Sequence, residues 1–305
     1  MTIFVIEQLL NGLQLGLMLF MLAAGLTLIF GIMEFINLAH GSLYMAGGFF
    51  AVVFVGLTGS YLAALPLAVL ATAGFGAALE WLLLRRLYGR SPLIQLLATF
   101  GLILVLNDLF RYFFGANPVP LDVPAALSQP IRVLGEFHYS AYRLLVIVVG
   151  LLSAGLLAWL IQRTRFGMWV RAGASDREMA RALGVNIRRV FAAVFALGAA
   201  LCGLAGALLG PLLSVQVGMG ESIIILAFVV VVIGGTGSVL GAFFGALAIG
   251  MLDTMGRTLL PVAMRALWPQ FSPDTMAPAL AAMLTYALMI AVLYWRPQGF
   301  FKVAS

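Results

Sequence analysis

Ser175-Asp176-Arg177-Glu178-Met179-Ala180-Arg181-Ala182-Leu183-Gly184 stands at the centre of a basic segment, 163–189. That segment holds seven arginines in a chain otherwise dominated by apolar residues. Ser175 and Glu178 have the spacing of a capping box, in which each side chain accepts the backbone N–H of the other. Gly184 can supply the left-handed residue that ends a helix. Asp176 and Glu178 fall in the first turn, where the helix dipole favours anions. The spacing therefore predicts a two-turn helix with its own start and stop signals. A capped helix in a basic loop reads as a surface that docks a cytoplasmic partner. Arginines that only orient a chain in a membrane need no caps.

Outward from this loop the chain turns apolar. Hydrophobic residues make up 63% and charged residues 9%, against about a quarter charged in a soluble domain. Apolar runs of about 20 residues, long enough to cross the hydrocarbon core, recur throughout. Candidate spans are 9–32, 42–58, 61–84, 93–114, 142–162, 190–213, 221–234, 238–256 and 277–295. The segment 221–256 is short for two passes, so eight to ten spans are expected, with one of them re-entrant as an option. The first run lacks preceding basic residues and a small-residue cleavage site, and reads as a retained span. The expected fold is an all-α polytopic membrane protein forming a single transmembrane domain over 1–305, with 163–189 as a loop within it.

Charge sets the orientation. Arg85, Arg86, Arg90, the seven arginines of 163–189, Arg296 and Lys302 account for 12 of the 17 basic residues. The positive-inside rule places them in the cytoplasm, with the C-terminus inside. The proline-rich loops 115–141 and 257–276 hold Arg132, Arg257 and Arg265 alongside Asp122, Glu136 and Asp274, and fall outside. The net charge of +6 thus belongs to span ends and the lipid bilayer, with no sign of nucleic acid. Cys202 is the single cysteine and His40 and His138 the only histidines, which leaves no disulfide and no metal cluster. Lys302 is the single lysine, and no Gly-Lys-Ser/Thr loop exists to hold a nucleotide. No cofactor and no catalytic set is expected in this chain, and if ATP drives it the ATPase is a separate subunit.

Two glycine-rich breaks interrupt the apolar pattern. One is Ile36-Asn37-Leu38-Ala39-His40-Gly41-Ser42, and the other is Ile233-Gly234-Gly235-Thr236-Gly237-Ser238. Each places Gly-Ser between an apolar run and a small-residue helix, so that glycine breaks one helix and serine caps the next. Paired interruptions in two halves suggest an internal pseudo-repeat flanking a transport pathway. On that reading Asn37, His40, Gly41, Ser42, Gly234, Gly235, Thr236, Gly237 and Ser238 line the pathway, and the free N–H groups of the helix starts suit a carboxylate. Packing alone is the competing account. Gly237, Gly241 and Gly245 recur every four residues, as do Gly198, Cys202, Gly206 and Gly210, and such faces let membrane helices approach closely. Glu34 could join Asn37 and His40 around a polar cavity. Asp108 with Arg111 and Asp253 with Arg257 have the spacing of local ion pairs, and Glu80, one turn from the cytoplasmic Arg85, reads as interfacial.

Gly25-Leu26-Thr27-Leu28-Ile29-Phe30-Gly31 followed by Ile36-Asn37-Leu38-Ala39-His40-Gly41 resembles the N-terminal signature of the LivH-type permeases, membrane subunits of ABC importers for branched-chain amino acids. The 176–184 stretch resembles that family's cytoplasmic loop. Val232-Ile233-Gly234-Gly235-Thr236-Gly237-Ser238-Val239-Leu240-Gly241-Ala242 resembles a third block, and Trp295-Arg296-Pro297-Gln298-Gly299-Phe300-Phe301 its ending. The resemblance implies a permease in a bacterial-type cytoplasmic (inner) membrane. It implies two cytoplasmic ABC ATPase subunits that bind ATP and magnesium, a second related permease in a heterodimer or homodimer, and a periplasmic or extracellular substrate-binding protein. The central loop would then supply a coupling helix through Ser175, Asp176, Glu178, Met179, Ala180, Leu183 and Gly184. Met179, Ala180 and Leu183 would enter an ATPase groove, with Arg177 and Arg181 on its rim. Branched-chain amino acids are the default substrate, and urea, short amides or other amino acids the alternative. From another class, a secondary transporter or channel stays open, although ion coupling usually relies on intramembrane carboxylates.

Overall fold

Eight helices among the described residues are long and apolar enough to cross a membrane. The structure, a computed structural model, describes residues 2–134, 137–267 and 273–301. Glu136 and Lys302 of the charge pattern lie outside them. The order is α1 (Thr2–Met33), α2 (His40–Thr58), α3 (Tyr61–Leu82), α4 (Pro92–Phe114), a hairpin of β1 (Pro130–Leu134) and β2 (Phe137–Ser140), α5 (Ala141–Arg163), α6 (Arg165–Ser175), α7 (Arg177–Ala182), α8 (Ile187–Leu213), α9 (Met219–Gly234), α10 (Val239–Leu267) and α11 (Pro273–Trp295). The long spans are α1 to α5, α8, α10 and α11. The fold is all-α and polytopic, as its hydropathy predicts. The 16-residue α9 is only about 24 Å long. In the non-helical stretch before it, buried Val215 pairs its backbone with Val119.

Helix α1 is the central post. Its middle, from Leu17 to Ala24, is almost wholly buried. Glycines let neighbours approach it: a Cβ on Gly250 of α10 would lie 2.3 Å from the Gly16 backbone, and one on Gly25 would lie 2.8 Å from Gly198 of α8. Across α8, Gly203 meets Gly47 and Thr72, and Gly206 meets the Tyr44 carbonyl. The four-residue spacing of Gly198, Cys202, Gly206 and Gly210 therefore does pack helices. Pro211 inside α8 removes the donor that would reach the Ala207 carbonyl. The Tyr61 hydroxyl donates to that carbonyl at 2.9 Å, and Tyr142 donates to the next one, Leu208, at 2.7 Å. A helix irregularity is thereby used to tie α3 and α5 to α8.

The basic segments meet at one end of the bundle. Glu34, just past α1, pairs with Arg177 of α7 at 3.4 Å. Ile36 N–H donates to Gln95, whose amide donates to the Arg90 carbonyl. Phe300 and Phe301 donate to the carbonyls of Ile233 and Gly234. The Arg85–Arg90 turn, the α6–α7 segment and the tail after α11 thus share one end, as the charge pattern predicts. At that end Glu80 is fully buried and bound by Arg85 at 2.9 Å. Tyr88 also donates to it at 3.1 Å. Burial and the Glu80 carboxylate push the Tyr88 phenol far above its ordinary range, which keeps its proton on the donor.

Candidate functional site

Between α1 and α2 the chain leaves helical geometry for six residues. Irregular backbone at membrane depth needs protein partners for its N–H groups. Two side chains one turn apart on α4 supply them: Gln95 accepts from Ile36 at 3.2 Å, and Thr99 accepts from Leu38 at 3.3 Å. Sequence reasoning missed both. Their signal is two buried polar residues, i and i+4, on the face of an otherwise apolar helix. The segment opens at Glu34, a non-glycine residue held at φ +49°, a conformation few side chains adopt.

Asn37 and His40 are fully buried beside α1 and α8. His40 Nε2 lies 3.0 Å from Cys202 Sγ. The Asn37 amide oxygen and nitrogen and the Thr27 hydroxyl are buried without a hydrogen-bond partner among the described residues. Glu34 does not join the buried Asn37 and His40. Glu34 turns outward to Arg177, with a side chain 79% exposed. Ser42 is no cap either, because α2 begins after Ala39 and has no side-chain cap.

The second break has a different setting. Gly235 and Gly237 adopt positive φ, and Ser238 Oγ accepts from Gly241 N–H at 3.0 Å, so this serine does cap α10. The tail covers the break: a Cβ on Gly235 would lie 2.4 Å from the Phe301 carbonyl oxygen. Gly237 presses against Gly31 near the end of α1, whereas His40 lies against Gly25. Six residues of helix are about 9 Å, so the two breaks stand at different depths. Asn37, His40, Gly41 and Ser42 form one group deep in the bundle. Gly234, Gly235, Thr236, Gly237 and Ser238 form another at its arginine-bearing end, with Thr236 exposed.

The central loop contains two helices. The missed one, α6, starts at Thr164, whose hydroxyl accepts from Gly167 N–H at 3.2 Å. It buries Val170 and Gly173 and exposes Met168 and Trp169. Helix α7 starts at Asp176, whose Oδ1 accepts from Glu178 and Met179 N–H, each at 2.9 Å. This corrects the Ser175 cap: Ser175 ends α6, and Asp176, the next residue, takes the role. Gly184, at φ +88°, closes α7 as expected. Gly184 N–H reaches the Arg181 carbonyl, and Val185 N–H reaches Ala180, the paired bonds of a Schellman stop.

Only one side of α7 is free. Met179 and Leu183 are exposed at 58% and 77%, while Ala180 is buried at 2%. Ala180 is therefore the anchor of α7 and not part of an outward face, because i and i+1 lie about 100° apart on a helix. Arg177 also turns inward. It pairs with Glu34, and its guanidinium lies 5.9 Å from the Phe191 ring centroid. Phe191 stacks edge-on with Tyr88, and Tyr88 with Phe35 of the first break. An outward-facing helix is thus linked by one arginine to the start of the α1–α2 break. Beside α7, Phe166, Trp169, Leu183, Val185 and Val190 line a groove of about 440 Å³.

Residues 8–293 match the family described as branched-chain amino acid transport system / permease component. The chain is 30% identical over 306 residues to the high-affinity branched-chain amino acid transport system permease protein BraD of Pseudomonas aeruginosa, covering 96% of this chain and 94% of that one. It is 29% identical to the permease protein LivH of Escherichia coli K12, over 97% and 95% of the two chains. The ribose import permease protein RbsC of Escherichia coli is 27% identical, over 85% and 80%.

Proposed function

The chain belongs to the family of branched-chain amino acid transport permease components, and from that premise we propose that it is the membrane-spanning subunit of an ATP-driven importer of branched-chain amino acids. It provides the translocation pathway, and separate chains supply ATP hydrolysis. Its arginine-bearing end, with the C-terminus, faces the cytoplasm of a bacterial-type inner membrane. Two ABC ATPases dock there, a second related permease completes the membrane unit, and a substrate-binding protein delivers cargo from outside.

One observation carries the coupling role: α7 has exposed Met179 and Leu183 on one side and Arg177 bonded to Glu34 on the other. A force applied to α7 by a closing ATPase pair reaches the α1–α2 break directly. Helix movement at the break then tilts α2, one form of alternating access. Asp176, Glu178 and Gly184 set the ends of α7, and Met179 and Leu183 supply its contact.

The test is purification of the chain from its native membranes in mild detergent, paired with leucine uptake by the reconstituted complex. P-loop ATPases and a second permease should co-purify. Leu183→Asp should abolish uptake and ATPase recovery while the permease still reaches the membrane. Wild-type uptake by Leu183→Asp would remove α7 as the coupling element. Purification of the chain without ATPases, under conditions that preserve a control ABC complex, would refute the importer reading.

A further inference from the structure

We propose that the crevice between the starts of α2 and α9 is a transit site for an aliphatic amino acid, holding its carboxylate, ammonium and side chain at separate points. The proposal rests on the permease reading above. Three sets of groups converge there. Gly41 and Ser42 open α2, and Gly220 opens α9. Gly41 and Gly220 N–H have no backbone acceptor among the described residues, and two helix starts together favour an anion. Ser42 is 4% exposed and lines the crevice. Its hydroxyl has no hydrogen-bond partner among the described residues, so a donor is already aimed at the same place.

Next to Gly220 in the first turn of α9 stands an exposed carboxylate, Glu221, which accepts a hydrogen bond from the Asn107 amide of α4. No described Arg, Lys or His pairs with it. Glu221 lies 13 residues before the end of α9, about 20 Å from the arginine-bearing end. That depth falls inside a hydrocarbon core of about 30 Å, where an uncompensated carboxylate marks a functional position. An α-ammonium is the cation that an amino acid brings. The rest of the lining includes apolar Leu38, Met45 and Ile103, which suits a branched aliphatic side chain projecting from the carbon that carries both charges, and not a sugar.

The crevice is shut in this conformation, with no room for a water molecule. Backbone contact closes it: a Cβ on Gly41 would lie 2.3 Å from the Gly220 carbonyl oxygen, and one on Gly220 would lie 2.1 Å from that of Gly41. Separation of α2 from α9 opens it. The start of α2 follows the 34–39 segment, which Arg177 holds through Glu34. Opening of the transit site is thereby tied to α7.

The experiment uses the whole complex in proteoliposomes, with photoactivatable leucine as the probe during ATP turnover and mass spectrometry of the labelled peptides. Label should appear on peptides containing Met45 or Ile103. Glu221→Gln should lower labelling and leucine uptake about tenfold, the size of a lost charge-assisted contact, with partners recovered at wild-type yield. Glu221→Asp should restore part of both. If Glu221→Gln fails to assemble, Ser42→Ala, which removes one unpartnered oxygen, should still lower uptake in an assembled complex. Label confined to other helices, or unchanged uptake in the assembled Glu221 and Ser42 variants, would overturn the site. A wild-type complex that takes up no leucine would instead refute the permease reading, and the site with it.

Discussion

Asp176→Ala removes both hydrogen bonds that start α7. The Asp176 carboxylate accepts from Glu178 and Met179 N–H at 2.9 Å each, and the helix it starts has six residues. Loss of an N-cap costs about 1–2 kcal/mol. Little else holds α7 in place. Ala180 is small, the exposed Arg177–Glu34 pair contributes about 0–1 kcal/mol, and the Arg177–Phe191 contact contributes about 0.5–1 kcal/mol. The lost cap is therefore as large as the remaining side-chain anchorage. The fraction of molecules with α7 unwound should rise about 5–30-fold. Amide hydrogen exchange across 177–185 in nanodiscs reads this directly, and leucine uptake by the reconstituted complex should fall in parallel. Asp176→Asn keeps an acceptor oxygen and gives up only the charge, about 0.3–1 kcal/mol. It should retain most of the protection and most of the uptake. Equal damage from Asn and Ala, or normal exchange in Asp176→Ala, would refute the assignment of Asp176 as the helix start that transport depends on.

Gln95→Leu should leave Ile36 N–H buried without an acceptor and lower stability by about 1–3 kcal/mol; an unchanged melting midpoint in detergent would show that α4 does not support the break. Gly206→Val places a Cβ 1.9 Å from the Tyr44 carbonyl oxygen and should cost at least about 1–3 kcal/mol through overpacking. Gly155→Val, where nothing lies within 4 Å, should be neutral in the same assay of folded protein recovered from membranes.

The all-α polytopic fold and the common end of the arginines were legible in the sequence because both follow from local composition. An apolar run long enough to cross lipid must be helical, and arginines gather where the chain leaves it. The cap at Gly184 was legible for the same reason, since positive φ is a local property. Its partner at the start was misplaced by one residue. Ser175 and Asp176 are both good caps, and only the end of α6, set by Val170 and Gly173 against the bundle, decides between them. Helix α6 itself escaped notice because it is short and Arg165 and Arg171 break up its apolar residues.

What the tertiary structure alone decided is which groups meet. Gln95 and Thr99 look like isolated polar residues until α4 lies beside the break at 36–38. The C-terminal Phe300 and Phe301 and the glycines at 234–235 are far apart in the chain, yet they share backbone hydrogen bonds. The two glycine breaks are alike as strings but differ in depth, because one is held against Gly25 and the other against Gly31. Glu221 reads as an ordinary first-turn acid until Ser42 and Asn107 come to the same crevice. Local rules set where helices begin, end and cross lipid. Which faces touch depends on close contact between glycines distant in sequence, and no local pattern encodes that pairing.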